Sequence, residues 1–507
     1  MDAQRRASWA AIIVFLALFL PACSAGSTGT TGGGGQDSER LTVALTGEPD
    51  NLDFTTTSGS AIPQALMGNV YEGLVKIGQD GGIEPLLATS WDLSDDRRTY
   101  TFHLREGVTF SNGSPFNADA VKFSIEQVQS DAWENGLKAK MDVVESVTAV
   151  DDTTVEVVLT KPSNAWLWDM GTLVGTMFTP DGADDLPASP IGTGPYTVQE
   201  WAKGDHLTLA ARDGYWGEKP KTETVVLRYF SDAVATTNAL SSGDVDVVQN
   251  LQAPELLQSF EANDEYRVIA GSSPGKVMLP MNNRVAPFDD PKVRQAVMYA
   301  LDRKAIVDTA WAGYGTPAVA PVAETDPYHE NLDDMYPHDV AKAKKLLAEA
   351  GHPDGIDITL TVPTRPYATS VSEIVVSQLA EAGIRATIET AEFPAVWLRD
   401  VFKNHDYEMS VILHTEARDV LTIYNDPDYY VGYDNSKIAP LAAEADAGSE
   451  QEYTDTMKQV VRIIEEDAAS ANLFMFPNIV VSRATVSGIP ENAVTEAFEV
   501  ATIAKEE

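Results

Sequence analysis

Cysteine is almost absent: the chain of 507 residues has one, Cys23. A lone thiol excludes an intramolecular disulfide. Positive charge is also scarce, with 36 Lys and Arg against 76 Asp and Glu and a formal net charge of −40. Such a surface repels nucleic acid and anionic lipid head groups, so no nucleic-acid partner is expected. The seven histidines (His103, His206, His329, His338, His352, His405 and His414) are scattered, with no i, i+4 pair on a helix. No metal site and no cofactor are expected from them. Long apolar runs are missing too. The one near the N-terminus, Trp9 to Leu20, is too short to span a bilayer.

Enzyme signatures are equally thin. There is no Walker-type phosphate loop, no HExxH and no CxxC. Gly271-Ser-Ser273-Pro-Gly275 has the spelling of a nucleophile elbow, which needs a strand, a sharp turn and a helix. The following Lys276-Val-Met-Leu reads as extended, and Pro274 stands where the helix would begin. Gly313-Tyr-Gly315-Thr-Pro-Ala318 fails as a dinucleotide fingerprint because it follows a helix and Pro317 blocks the next one. The acid pairs Asp151-Asp152 and Asp333-Asp334 read as solvated loop residues. The chain is not expected to be an enzyme.

What is present begins at the N-terminus. Arg5 and Arg6, the apolar stretch to Leu20 and then Pro21-Ala22-Cys23 have the order of a secretory signal, predicting a signal peptide over 1–22. Leu20-Pro-Ala-Cys23 resembles a bacterial lipobox, which implies cleavage before Cys23 and lipid on its sulfur. Ser24 to Gln36 is uncharged and rich in Gly, Ser and Thr, so 23–40 reads as a lipidated cysteine and a flexible tether.

The body has two textures. From Leu41 to about residue 230 short strand signals dominate. Leu41, Val43 and Leu45 alternate with polar residues as in a half-buried strand, and Thr99–Leu104 and Thr154–Leu159 are the clearest others. One helix is predicted after Asn117, over 118–128. From about 290 helix and strand alternate. Pro291 opens a helix, and Asp339 caps another that Gly351 ends. Strands are predicted at 356–362, 384–388 and 409–413, with a helix carrying Val371, Ile374, Val375 and Leu379 between the first two. That βαβ order implies a mixed or parallel sheet covered by helices. Leu473-Phe-Met-Phe-Pro-Asn-Ile-Val-Val-Ser-Arg483 is a strand-like tail.

Several segments carry a family resemblance. They are YEGLVKI from Tyr71, IEPLLATSWDLSDDRRTYTFHLREGVTFSNGSPFNADAVKFSIE from Ile83, IGTGPY from Ile191, NALSSGDVD from Asn238 and FDDPKVRQAV from Phe288. In this order they resemble the dipeptide, oligopeptide and nickel group of ABC-importer solute-binding proteins, over nearly the whole mature chain. The resemblance implies an α/β fold of two periplasmic-binding-protein-like lobes, with mixed sheets and a ligand cleft between them. Lobe I would comprise 41–278 and return at 477–507, with lobe II inserted as 279–476. The chain would be an extracytoplasmic, lipid-anchored monomer. It would capture peptides or similar zwitterions for membrane permease subunits and perform no chemistry. Nickel chelates, opines and oligosaccharides are the alternative ligands within this fold, and an exported hydrolase is the alternative outside it.

The resemblance also nominates contacts. Arg365, in Thr364-Arg-Pro-Tyr367, corresponds to an arginine that grips a ligand carboxylate. Asp419 corresponds to an aspartate that binds the ligand's ammonium. Asn425-Asp-Pro-Asp428 arrives later than the family pattern has it, so Asp426 or Asp428 is the alternative acid. Ser58 and Gly59 resemble a loop that touches ligand backbone, and Tyr367 and Trp397 are expected to line side-chain pockets.

Overall fold

The computed structural model describes residues 39–56, 59–183 and 186–506. The expected signal peptide, Cys23, the expected tether up to Ser38, and Ser58 lie outside the described residues; Arg40, the last residue of that segment, begins the first strand.

The strand Arg40–Leu45 is central in a sheet of seven. It runs parallel to Thr224–Tyr229 on one side and to Val247–Gln249 on the other. Both faces of a central strand are covered, so Ala44 is buried along with Leu41, Val43 and Leu45. The expected half-buried strand is therefore buried nearly throughout. A four-stranded antiparallel sheet stands apart and keeps a clean alternation: Tyr100, Phe102 and Leu104 on one strand and Val155, Val157 and Leu159 on its neighbour all point inward. The predicted helix is present as Ala118–Gln129, its first turn capped by the Asn117 side chain accepting from the Ala120 amide. The tight path at Gly192 has a steric cause, because a Cβ there would lie 1.9 Å from the carbonyl oxygen of Val70.

The remaining sheets are separate. Ile356–Pro363 pairs in parallel with Ile384–Ala391 and with Met409–Ser410. The helix Pro291–Ala300 starts at its proline under the Asp290 cap. Val340–Glu349 starts under Asp339, and Gly351 follows with φ +91°. The expected single strand at 409–413 is split. Met409–Ser410 joins the parallel sheet, whereas Ile412–His414 pairs with Lys276–Pro280 in an antiparallel sheet of four.

The chain passes from the first sheet system to the second between Gly271 and Lys276. It returns between Met475 and Asn478. The strand-like tail is thus two strands, Ser470–Met475 in the second system and Asn478–Arg483 in the first, parted at Pro477, which has no amide to donate. The crossings lie side by side: the Phe476 amide donates to Gly275 O (2.7 Å), and Ser273 Oγ donates to Phe476 O (2.5 Å). Ser273 therefore ties two connections together, in a loop between strands rather than at the head of a helix. Apolar side chains collect on either side of these crossings. One core runs from Leu41 to Leu227 and takes in Val480 to Ile503. Others are drawn from Val277 to Phe476.

Candidate functional site

A cavity of about 720 Å³ lies where the two halves face each other. The first half contributes Met67, Glu72, Leu137, Lys140, Trp168 and Leu173, and the C-terminal return adds Glu496 and Glu499. The second half contributes Tyr328, the run Thr415–Asp419, Leu421, Asn425, Tyr429 and Tyr453. Pro274, on the first crossing, also lines it. The volume is that of a small-molecule site.

Two sets of bonds hold the halves together beside the cavity. Arg418, with a left-handed backbone (φ +55°), extends from the second half. It donates to Gly81 O (3.0 Å) and lies over the Trp168 ring, 4.7 Å from its centroid. Asp326 sits 3.4 Å from its Nε. On the other flank the helix Asn164–Asp169 meets the helix Ala439–Ala447. The Asn164 side-chain amide donates to Ala445 O, Asp446 O and Gly448 O, and Ser163 Oγ donates to Asp446 Oδ1.

Several ionisable groups in the wall are paired inside the protein. Glu72 accepts from Tyr215 Oη, Trp216 Nε1 and Thr193 Oγ1 at 2.7–2.9 Å, and burial still holds its carboxyl above the usual range. Asp169 pairs with Lys140 at 2.7 Å and is likewise raised by burial. Glu496 is pushed up to about 7, by burial first and then by the facing Glu416. Asp419 differs. Burial pushes it up, but the Lys276 ammonium and the His414 ring outweigh that and hold it below the ordinary carboxylate range. Lys276 and Asp419 are in direct ion-pair contact, only 2% and 5% exposed, and His414 Nδ1 lies 3.5 Å from the other carboxylate oxygen.

The residues expected from sequence fall in different places. Asp419 lines the cavity. Arg365 does not reach the wall; it is exposed at the start of the helix Pro366–Glu381, with its guanidinium 4.8 Å from the Phe393 ring centroid. Tyr367 is in the first turn of that helix rather than in a loop, and its buried hydroxyl accepts from the Leu413 amide (3.0 Å). Trp397 is core, with its indole donating to Ser410 Oγ (3.0 Å) and its ring against Tyr430. Asp426 and Asp428 are exposed, Asp426 Oδ1 accepting from the Asp428 amide, and neither lines the cavity. Gly59 is exposed and also outside the wall. Sequence reasoning missed Lys276, Arg418 and Trp168. Only Lys276 left a signal: a lysine opening a strand whose other residues are apolar.

Two halves joined by paired crossings, with a cavity between them, make a two-lobe solute-binding protein. A family model described as "Bacterial extracellular solute-binding proteins, family 5 Middle" matches residues 82–437. The glutathione-binding protein GsiB of Salmonella typhi is 32% identical over 349 residues, 66% of this chain and 67% of that protein. Among solved structures, the ABC transporter substrate-binding protein CtaP of Listeria monocytogenes superposes with a TM-score of 0.83 at 23% identity. It covers 92% of this chain and 99% of its own. DppA of Helicobacter pylori, solved with the peptide STSA, gives 0.78 at 24% identity, covering 92% and 98%. The chain belongs to family 5 of the bacterial extracellular solute-binding proteins. Its function, which this membership carries, is extracytoplasmic capture of a substrate for an ABC transporter.

Among the described residues no helix is long and apolar enough to cross a membrane.

Proposed function

We propose that the chain is held by lipid on Cys23 and closes two lobes on a small peptide-like ligand, which it hands to the permease subunits of an ABC importer. The first lobe is 41–271 with 478–507 and the second is 276–475, so the first boundary falls a few residues before the expected 278, because the strand Lys276–Pro280 pairs within the second sheet system. The observation that carries the ligand class is the character of the cavity wall. Its aliphatic and aromatic surface includes Trp168, Tyr328 and Asn425, each with a buried polar atom (Nε1, Oη and Oδ1) that has no hydrogen-bond partner among the described residues. Buried polar groups are nearly always paired. Two donors and an acceptor among the aromatic and aliphatic parts of a wall that also carries charged groups suit the amide carbonyls and N–H groups of a short peptide after small side-chain rotations. The DppA relative, which holds a peptide, supports the same reading.

The metal-chelate alternative is disfavoured. His414, Glu416 and Asp419 lie close enough to share a cation, with ligand atoms within 4.8 Å of one another, but the Lys276 ammonium already rests against Asp419. Mass spectrometry of the small molecules released on denaturing the freshly purified protein tests the proposal. Short peptides or peptide-like amides are expected. A sugar or a metal chelate as the dominant released species contradicts it.

A further inference from the structure

Lys276 occupies an unusual position. It opens the strand on the first interlobe crossing, and its register partners are His414 on one side and Met475 on the other. Its Nζ donates to Glu416 O (2.8 Å) and Pro274 O (3.3 Å) and pairs with Asp419 Oδ1. Pro274, Glu416 and Asp419 all line the cavity. A carboxylate buried in the wall of a ligand cavity is the natural acceptor for a ligand's ammonium group. Here the protein supplies that ammonium itself.

We propose that Lys276 is a specificity-determining residue: it fills the amine position at Asp419, so the protein takes ligands whose end at Asp419 is acylated or otherwise uncharged. The inference deepens the peptide-like reading and rests on it for the ligand class. A free amino terminus arriving at Asp419 has to displace Lys276. That displacement strips a nearly inaccessible ammonium of its counter-ion, and an unpaired buried charge is strongly unfavourable. The alternative, two ammonium groups against one carboxylate, sets like charges side by side. An N-acyl end meets neither obstacle.

The test uses trialanine and N-acetyl-trialanine in calorimetric titrations of ligand-stripped protein. Wild type is expected to bind the acetylated peptide at least as tightly as the free one. In Lys276→Met the vacated Asp419 accepts the peptide ammonium, and the preference reverses to the free amine by about tenfold or more. In Lys276→Met/Asp419→Asn, which also guards against misfolding from an unpaired carboxylate, the reversal disappears. A wild type that binds free trialanine about tenfold more tightly than its acetylated form, or a Lys276→Met protein with no reversal, overturns the proposal while leaving the peptide reading intact.

If wild type binds neither peptide, the peptide reading loses its support, and the role of Lys276 is decided by ethylammonium chloride. That cation is expected to raise the melting temperature of Lys276→Ala but not of wild type or the double variant. An equal response in all three overturns the assignment.

Discussion

The guanidinium of Arg418, in one lobe, lies 4.7 Å from the ring centroid of Trp168, in the other. This stacking joins the two lobes at the wall of the cavity, which both residues line. The same arginine donates to Gly81 O across the gap, so one side chain carries two interlobe bonds. Cation–π stacking of this kind contributes about 0.5–2 kcal/mol. Trp168→Leu is therefore expected to weaken ligand binding by roughly threefold to thirtyfold. Small-angle scattering of the ligand-bound variant should show a larger radius of gyration than bound wild type. Unchanged affinity and radius would remove the pair from closure.

The opposite flank makes a separate prediction. Asn164 donates to three carbonyls of the other lobe, Ala445, Asp446 and Gly448. Each hydrogen bond is worth about 1 kcal/mol net, and three from one amide group give less than their sum. Asn164→Ala should speed ligand dissociation by about tenfold, with a smaller change in association, because bonds that join the two lobes oppose their separation. Stopped-flow displacement measures both rates.

Asp419→Ala leaves the Lys276 ammonium buried without its counter-ion. A loss of about 3–5 kcal/mol in unfolding free energy is expected from urea titration. Because the folded-state pKa of Asp419 is depressed, its contribution is present above the unfolded value near pH 4. It is lost as pH falls through the lower folded value. The difference between variant and wild type should shrink on acidification through that window.

Glu465 titrates with the opposite sign. It is buried in the second lobe, and burial pushes its carboxyl up to about 8, with the Arg303 guanidinium opposing. A raised carboxyl holds its proton in the folded state while the unfolded chain releases it. Its presence therefore lowers stability as pH rises from about 4 toward 8. Glu465→Gln is expected to match wild type near pH 4 and to exceed it at pH 8 in thermal unfolding.

Much of the fold was legible because local signals agreed with tertiary demands. Asn117, Asp290 and Asp339 stand where helices begin, and their side chains accept the first free amides. The site was less legible. Asp419 is on the cavity wall, but its burial against Lys276 depends on a strand pairing between residues about 140 positions apart, which no local pattern encodes. Tyr367 and Trp397 carry polar tips that the backbone and Ser410 take up inside the lobe, so aromatic identity alone did not distinguish wall from core. Arg365 sits at a helix start on the solvent side of Phe393. With this geometry, Arg365→Ala should change ligand affinity by less than about twofold, whereas a carboxylate-gripping arginine would cost about tenfold or more. Calorimetric titration separates these outcomes.

The anchor is tested in the cell. Cys23→Ser should leave the protein unprocessed or release it from the membrane fraction, read by labelling with a fatty-acid analogue and by fractionation. Equal labelling and equal retention of mutant and wild type would contradict lipidation at Cys23.

If ligand binds in the cavity between the lobes, obstructing that space abolishes binding. Ala443 is exposed, lies on the helix Ala439–Ala447 and lines the cavity. A tryptophan there projects bulk into the cavity and obstructs it without disturbing a core. Calorimetric titration of the ligand identified by mass spectrometry should show binding to wild type and, for Ala443→Trp, a loss of about a hundredfold or more in affinity at an unchanged melting temperature of the ligand-free protein. Wild-type affinity in the folded Ala443→Trp protein would place the ligand elsewhere and contradict the account.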